Sequence, residues 1–164
     1  MPLKDPLITE FKSEGASTKK MLDRVPEQSF AWMPHEKSMT LGRLATHVAE
    51  TPLWISRAIN NDEFDFAANP FKRHVAASQT ELLTIFQENF DSVLADLENS
   101  SDDLLIKKWT LRNGSKVFFE LPKIAVIRSL GFNHLIHHRG QLSVYLRMLD
   151  VPVPGMYGPS ADER

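Results

Sequence analysis

The sequence predicts an all-α fold, a four-helix bundle with a short β-hairpin or ordered loop before the last long helix. Three observations predict it. Apolar residues recur at helical spacing in four long segments. Proline and glycine fall between those segments as punctuation. The clearest β-prone stretch is short and centred on Asn113-Gly114. The 164 residues suit one domain, 1–164, with a sizeable core.

The first helix is expected from about Leu3 to Val25, where Ile8, Phe11, Met21, Leu22 and Val25 form an apolar stripe. Gly15 weakens its middle and Pro26 ends it. A loop with Phe30, Trp32 and Pro34 follows. The second helix starts near Thr40, a favourable N-cap, and shows Leu41, Leu44, Ala45, Val48 and Ile55 on its apolar face. His47 borders that face. Pro52 cannot donate to the Val48 carbonyl, so a kink is expected one turn after His47.

Residues 60–76 read as an irregular connection anchored by Phe64, Phe66 and Phe71. Ser78-Gln79-Thr80-Glu81 has a capping-box pattern. The third helix follows, with Leu82, Leu83, Ile85, Phe86, Phe90, Val93, Leu94 and Leu97, and runs to about Asn99. Lys108–Arg112 and Ser115–Phe119 flank Asn113-Gly114 as the two arms of a hairpin, with a single ordered turn as the alternative. Pro122 suits the first turn of the fourth helix, which extends to about Leu149. The tail from Val151 is rich in proline and glycine and is expected to lie over the surface.

The composition is that of an ordinary globular protein: 42% hydrophobic, 24% charged, net charge −2. No clustered basic excess points to nucleic acid. No apolar run approaches a membrane span, and Met1-Pro2-Leu3-Lys4-Asp5 lacks the apolar stretch of a signal peptide. A cytoplasmic location is the default expectation. The absence of cysteine excludes disulfides, thiolate metal ligands and a cysteine nucleophile.

The stretch Asn133-His134-Leu135-Ile136-His137-His138-Arg139-Gly140-Gln141 places three histidines in an apolar, helix-periodic segment. His134 and His138 are four apart and share one helical face, where two imidazoles can reach one ion. His47 is the candidate third ligand. Three imidazoles would leave a divalent ion with an open position for water or a thiol. The plainer alternative is a set of hydrogen-bonded structural histidines, the commoner role for a histidine bordering a core. His137 points about a quarter-turn from His138 and is expected not to be a ligand; His35 and His74 read as surface residues.

Three further residues are candidates for chemistry. Glu50, one turn after His47, could be a general base or a carboxylate supporting a ligand, or simply a solvated residue. Gln141 and Tyr145, one and two turns after His138, could orient a substrate or merely pack. Trp32 and Trp54 could line the mouth of the site. There is no glycine-rich phosphate loop, no Gly-x-Ser-x-Gly elbow, and no Glu after His134 of the kind a zincin protease needs.

The stretches Trp32–His35 and Lys37–Glu50, together with Asn133–Leu142, resemble the DinB-like family of damage-inducible, YfiT-type four-helix-bundle proteins. The resemblance covers nearly the whole chain. It implies a metal triad at His47, His134 and His138 holding a divalent ion, zinc or nickel, and a homodimer. It also implies a small-molecule substrate and a low-molecular-weight thiol of the bacillithiol or mycothiol type as co-substrate. The activity expected is therefore metal-dependent S-transfer. A metal-dependent hydrolase and a non-catalytic dimeric metal-binding module are the alternatives.

Overall fold

The computed structural model describes residues 1–70 and 74–163. The expected anchor Phe71 lies outside them. The chain is mainly helical, with a small three-stranded sheet. The strictly all-α expectation is therefore corrected.

Helix α1 (Lys4–Leu22) buries Leu7, Phe11, Thr18, Met21 and Leu22, positions that share one helical face. Phe11 stacks on Phe90 with ring centres 4.8 Å apart. The Thr40 hydroxyl accepts from the Arg43 N–H and starts α2 (Leu41–Glu50). The expected kink at Pro52 is found as an interruption through which the backbone keeps helical angles. Helix α2 stops at Glu50, Thr51 and Pro52 turn, and α3 (Leu53–Asn60) begins. The Thr51 hydroxyl donates to the His47 carbonyl at 2.6 Å and satisfies one end of the interruption.

The connection after α3 holds a strand that its sequence did not announce. Strand β1 (Glu63–Asp65) pairs in parallel with β2 (Lys108–Asn113), whose other edge pairs antiparallel with β3 (Lys116–Pro122). Three residues are too few to show a period-two signal, and the pairing partner lies far along the chain. The expected β2–β3 hairpin is present, but its turn is shifted by one residue from Asn113-Gly114, because Asn113 pairs with Lys116. Its two-residue turn is Gly114-Ser115, with Gly114 at φ +58, where a side chain would be strained. Pro122 closes β3 as well as introducing the next helix.

Helix α4 (Gln79–Asn99) matches its expected limits, with the Ser78 hydroxyl accepting from the Glu81 N–H. The Glu81 carboxylate accepts from the Ala77 N–H, one residue before the usual capping-box partner. A short turn of helix, α5 (Asp102–Leu105), is capped by Ser101.

The last helical run is continuous but not uniform. It comprises α6 (Lys123–Val126), a π-helical segment (Ile127–Asn133) and α7 (His134–Met148). Ile127 and Phe132, five apart, are both buried, as a wider turn requires. Gly131 lies against α3: a β-carbon there would meet Ile55 Cγ1 at 2.4 Å. The segment thus lets α3 approach closely and resets the helical phase immediately before His134. Helix α7 ends in a Schellman motif, with Val151 N–H bonded to the Leu146 carbonyl, Asp150 N–H to Arg147, and Asp150 at φ +55.

Helix α4 packs against α1, α2 and α3, and α7 packs against α2 and α1. Two apolar clusters result. One, around Phe11, Trp109 and Phe132, lies toward the sheet; the other, around Leu44, Leu82 and Leu142, lies toward α7. The tail covers the surface as expected and is tied down. Asp162 receives Arg147, and the Tyr157 hydroxyl reaches a buried pair formed by Arg139 and Glu14 at 2.5 Å. No helix among the described residues is long and apolar enough to cross a membrane.

Candidate metal centre

His47 projects from the last turn of α2, and His134 and His138 occupy the first two turns of α7. The helix pair brings the three rings together. Ring centres lie 4.4 Å apart for His47–His138, 4.6 Å for His134–His138 and 5.0 Å for His47–His134. One nitrogen from each ring lies within 4.8 Å of the others. His47 Nε2 and His134 Nε2 are 3.3 Å apart. Two nitrogens bound about 2.0–2.1 Å from one tetrahedral ion would be roughly 3.3–3.4 Å apart, so this edge has the dimension of a coordination edge.

The electrostatics favour neutral rings with available lone pairs. Burial, then the imidazoles of His138 and His134 and the Arg43 guanidinium, push His47 down from 6.5 to about 3. His134 is lowered by burial and by His138 and His137, against the raising pull of the Leu130 carbonyl. His138 is lowered chiefly by burial, with Gln141 opposing. His138 Nδ1 lies 2.7 Å from the Gln141 side-chain oxygen, so the Nδ1–H donates there and Nε2 keeps its lone pair for the centre. His134 Nδ1 is buried and makes no hydrogen bond of good geometry, while the Leu130 carbonyl one turn back raises the ring's proton affinity against burial. These residues fit a divalent cation: three convergent imidazoles, depressed proton affinity, and one ring oriented from behind.

The remaining expected residues fall as follows. His137 is exposed and outside the cluster. His35 and His74 are exposed, the latter paired with Glu81. Glu50 is half-buried and its carboxylate accepts from Arg43 at 3.3 Å. Tyr145 donates its hydroxyl to the Met39 carbonyl and stands edge-on to Trp32, in a packing position. A cavity of about 260 Å³ opens beside His47, walled by Glu50, Trp54, Arg57, Phe64 and Asn69. Sequence reasoning identified Trp54 and passed over Arg43, Arg57 and Asn69. The arginines carry a readable signal: Arg43, His47, Glu50, Trp54 and Arg57 recur at spacings of three and four.

Known proteins resemble this chain along most of its length. The model of the DinB family matches residues 1–164. YrdA of Bacillus subtilis strain 168, an uncharacterized protein, is 24% identical over 97% of this chain and 90% of its own. Uncharacterized YjoA of the same organism is 23% identical over 86% of this chain and 87% of its own. The crystal structure of a DinB-like protein from Bacillus cereus ATCC 10987 superposes with a TM-score of 0.70 at 25% identity, covering 91% of this chain and 94% of that one. That of YjoA superposes with a TM-score of 0.73 at 18% identity, covering 93% and 98%, a likeness of fold.

Proposed function

Because the chain belongs to the DinB family, we propose that it is a metal-dependent enzyme acting on a small thiol, most simply an S-transferase. His47, His134 and His138 would hold a divalent cation, zinc or nickel. Such a cation supplies Lewis acidity at a remaining coordination position, where a low-molecular-weight thiol of the bacillithiol or mycothiol type would sit as its thiolate. The observation that carries this reading is the convergence of three proton-poor imidazoles beside a cavity with aromatic walls.

The chain's own residues divide the work. Gln141 holds the His138 ring in one tautomer. Trp54 and Phe64 keep water from one side of the cavity, which strengthens electrostatic interactions within it. The Glu50 carboxylate is engaged by Arg43 rather than held ready to take a proton, so the cation itself would lower the proton affinity of the ligand at its open position, whose proton would leave to solvent. The proposal includes a homodimer, readable by sedimentation, and a cytoplasmic location, where small thiols are kept reduced.

Turnover of an electrophile such as 1-chloro-2,4-dinitrobenzene, followed with several small thiols and with water alone, tests the reaction. Thiol-dependent, chelator-sensitive turnover is expected. Turnover that proceeds equally without thiol would replace transfer by hydrolysis. Metal-dependent stability without any turnover would leave a binding module.

A further inference from the structure

Helix α7 supplies two of the three imidazoles, and α2 supplies the third. Such ligands grip one ion tightly when they are held within about 0.5 Å of the productive geometry, so whatever fixes α7 also fixes the site.

Arg139 directly follows His138 and points about a quarter-turn away from it, toward α1 and the tail. Its guanidinium is shared between those two segments. It donates to the Glu14 carboxylate, the Glu14 carbonyl and the Thr18 hydroxyl of α1. It also donates to the Tyr157 hydroxyl of the tail at 2.8 Å, and that hydroxyl donates in turn to the Glu14 carboxylate at 3.0 Å. Two turns further along α7, Arg147 donates to both Asp162 oxygens, at 3.0 and 2.5 Å. The same carboxylate accepts from the Val153 N–H at 2.8 Å.

The tail between these two ties is folded on itself. The Glu163 carboxylate accepts from the Gly155 and Ser160 N–H groups. A β-carbon at Gly155 would meet the Gly158 carbonyl oxygen at 2.4 Å. Val153 and Met156 pack against the cluster that contains Leu142 and Leu146 of α7. Chain ends order only when they are tied down, and this one is tied to the ligand-bearing helix at two points eight residues apart.

We propose that residues 152–163 form a clasp that holds the histidine-bearing turns of α7 in register with His47. Docked, the clasp raises the affinity of His47, His134 and His138 for a divalent cation, and the bound cation tightens the docking in return. The tail is then a handle through which the site can be loosened without touching a ligand. This inference rests on the metal-centre reading above, and the experiment separates the two.

Cobalt(II) affinity is measured by competition with a chromophoric chelator in Tyr157→Phe, Asp162→Asn and Gly155→Ala, none of which alters the metal centre. Each should weaken binding about fivefold or more, the lower end of couplings between sites. Val93→Ala, in the apolar cluster toward the sheet, controls for lost stability and should leave the constant unchanged. In the unaltered protein, amide exchange at Val153 and Gly155 should slow by a similar factor when cobalt(II) is added. Constants unchanged in all three tail variants, equal weakening in Val93→Ala, or tail exchange indifferent to cobalt(II) overturns the coupling and leaves the metal reading intact. If the unaltered protein binds no cation, the metal reading fails and amide exchange across residues 135–142 of the metal-free variants decides. Faster exchange there, with α4 unchanged, supports the clasp's hold on α7; exchange equal to that of the unaltered protein overturns it.

Discussion

The Nε2 atoms of His47 and His134 stand 3.3 Å apart across 87 residues of sequence. Two neutral imidazoles can share one proton at that distance, but two imidazolium rings would repel, and burial already opposes the charged forms. The pair is better suited to holding a cation than to holding protons.

Substitution of single histidines should reveal which face of α7 binds metal. His138→Ala and His134→Ala are expected to lose most bound metal, and His137→Ala to retain it, because His137 is exposed outside the cluster. Metal analysis of protein purified without an affinity tag measures this. Equal loss in His137→Ala would mean that the ligands lie on another face.

Gln141 should matter for metal affinity although it is no ligand. Its side-chain oxygen accepts from His138 Nδ1 at 2.7 Å. Gln141→Ala is expected to weaken metal binding about 10–100-fold, the usual effect of losing a partner behind a ligating histidine. Competition with a chromophoric chelator reads the constant; an unchanged constant would remove Gln141 from the site.

Metal-free protein should become less stable on mild acidification. His47 is pushed down to about 3 in the folded chain from an ordinary value of 6.5. Below 6.5 the unfolded chain therefore binds a proton that the folded chain refuses, and folding stability falls as pH drops from 6.5 toward 3. His134 and His138, lowered in the same direction, add to the effect. Urea midpoints between neutral and mildly acidic pH should show the decline, with a shallower slope in His47→Gln. Identical slopes would contradict the burial argument.

Arg139 sits inside the histidine stretch yet serves the scaffold. It is 2% exposed, pairs with Glu14 at 2.5 Å and donates to Thr18 and the Tyr157 hydroxyl. Removing one partner strands a buried charge, so Glu14→Ala should cost about 3–5 kcal/mol in chemical denaturation. An Arg139→Met, Glu14→Leu double variant should recover much of that loss. If the double variant is as unstable as the single, the pair is not what the site's neighbourhood depends on.

Gly131→Ala should also destabilise the protein, by about 1–3 kcal/mol, because the new methyl would meet Ile55 Cγ1 at 2.4 Å. Ile55→Val in the same background should relieve part of the cost. A stable Gly131→Ala would show that the π segment can shift away from α3.

Local features were legible wherever near neighbours in the chain decide them. Thr40 and Ser78 start α2 and α4 because each hydroxyl satisfies an N–H three residues on. The hairpin follows from Gly114 and its flanking β-formers. The spacing of His134 and His138 places both rings on one face whatever else the fold does. Strand β1 was not legible, since Glu63–Asp65 is a strand only by virtue of β2, far along the chain. Nor was the π segment, where Gly131 lies against Ile55 on another helix, a contact that spacing along one chain segment does not reveal.

The same division holds at the site. The sequence by itself determined which imidazoles share a helical face, that no thiolate could join them, and that the chain resembles a metal-binding family. Only the tertiary structure decided that Glu50 is held by Arg43, that Gln141 orients His138 while Tyr145 packs against Trp32, and that Arg57 overlooks the cavity. Spacing along one helix fixes direction within about a turn. A partner's identity, a ring's tautomer and a charge's burial depend on which other helices arrive, and that is a property of packing.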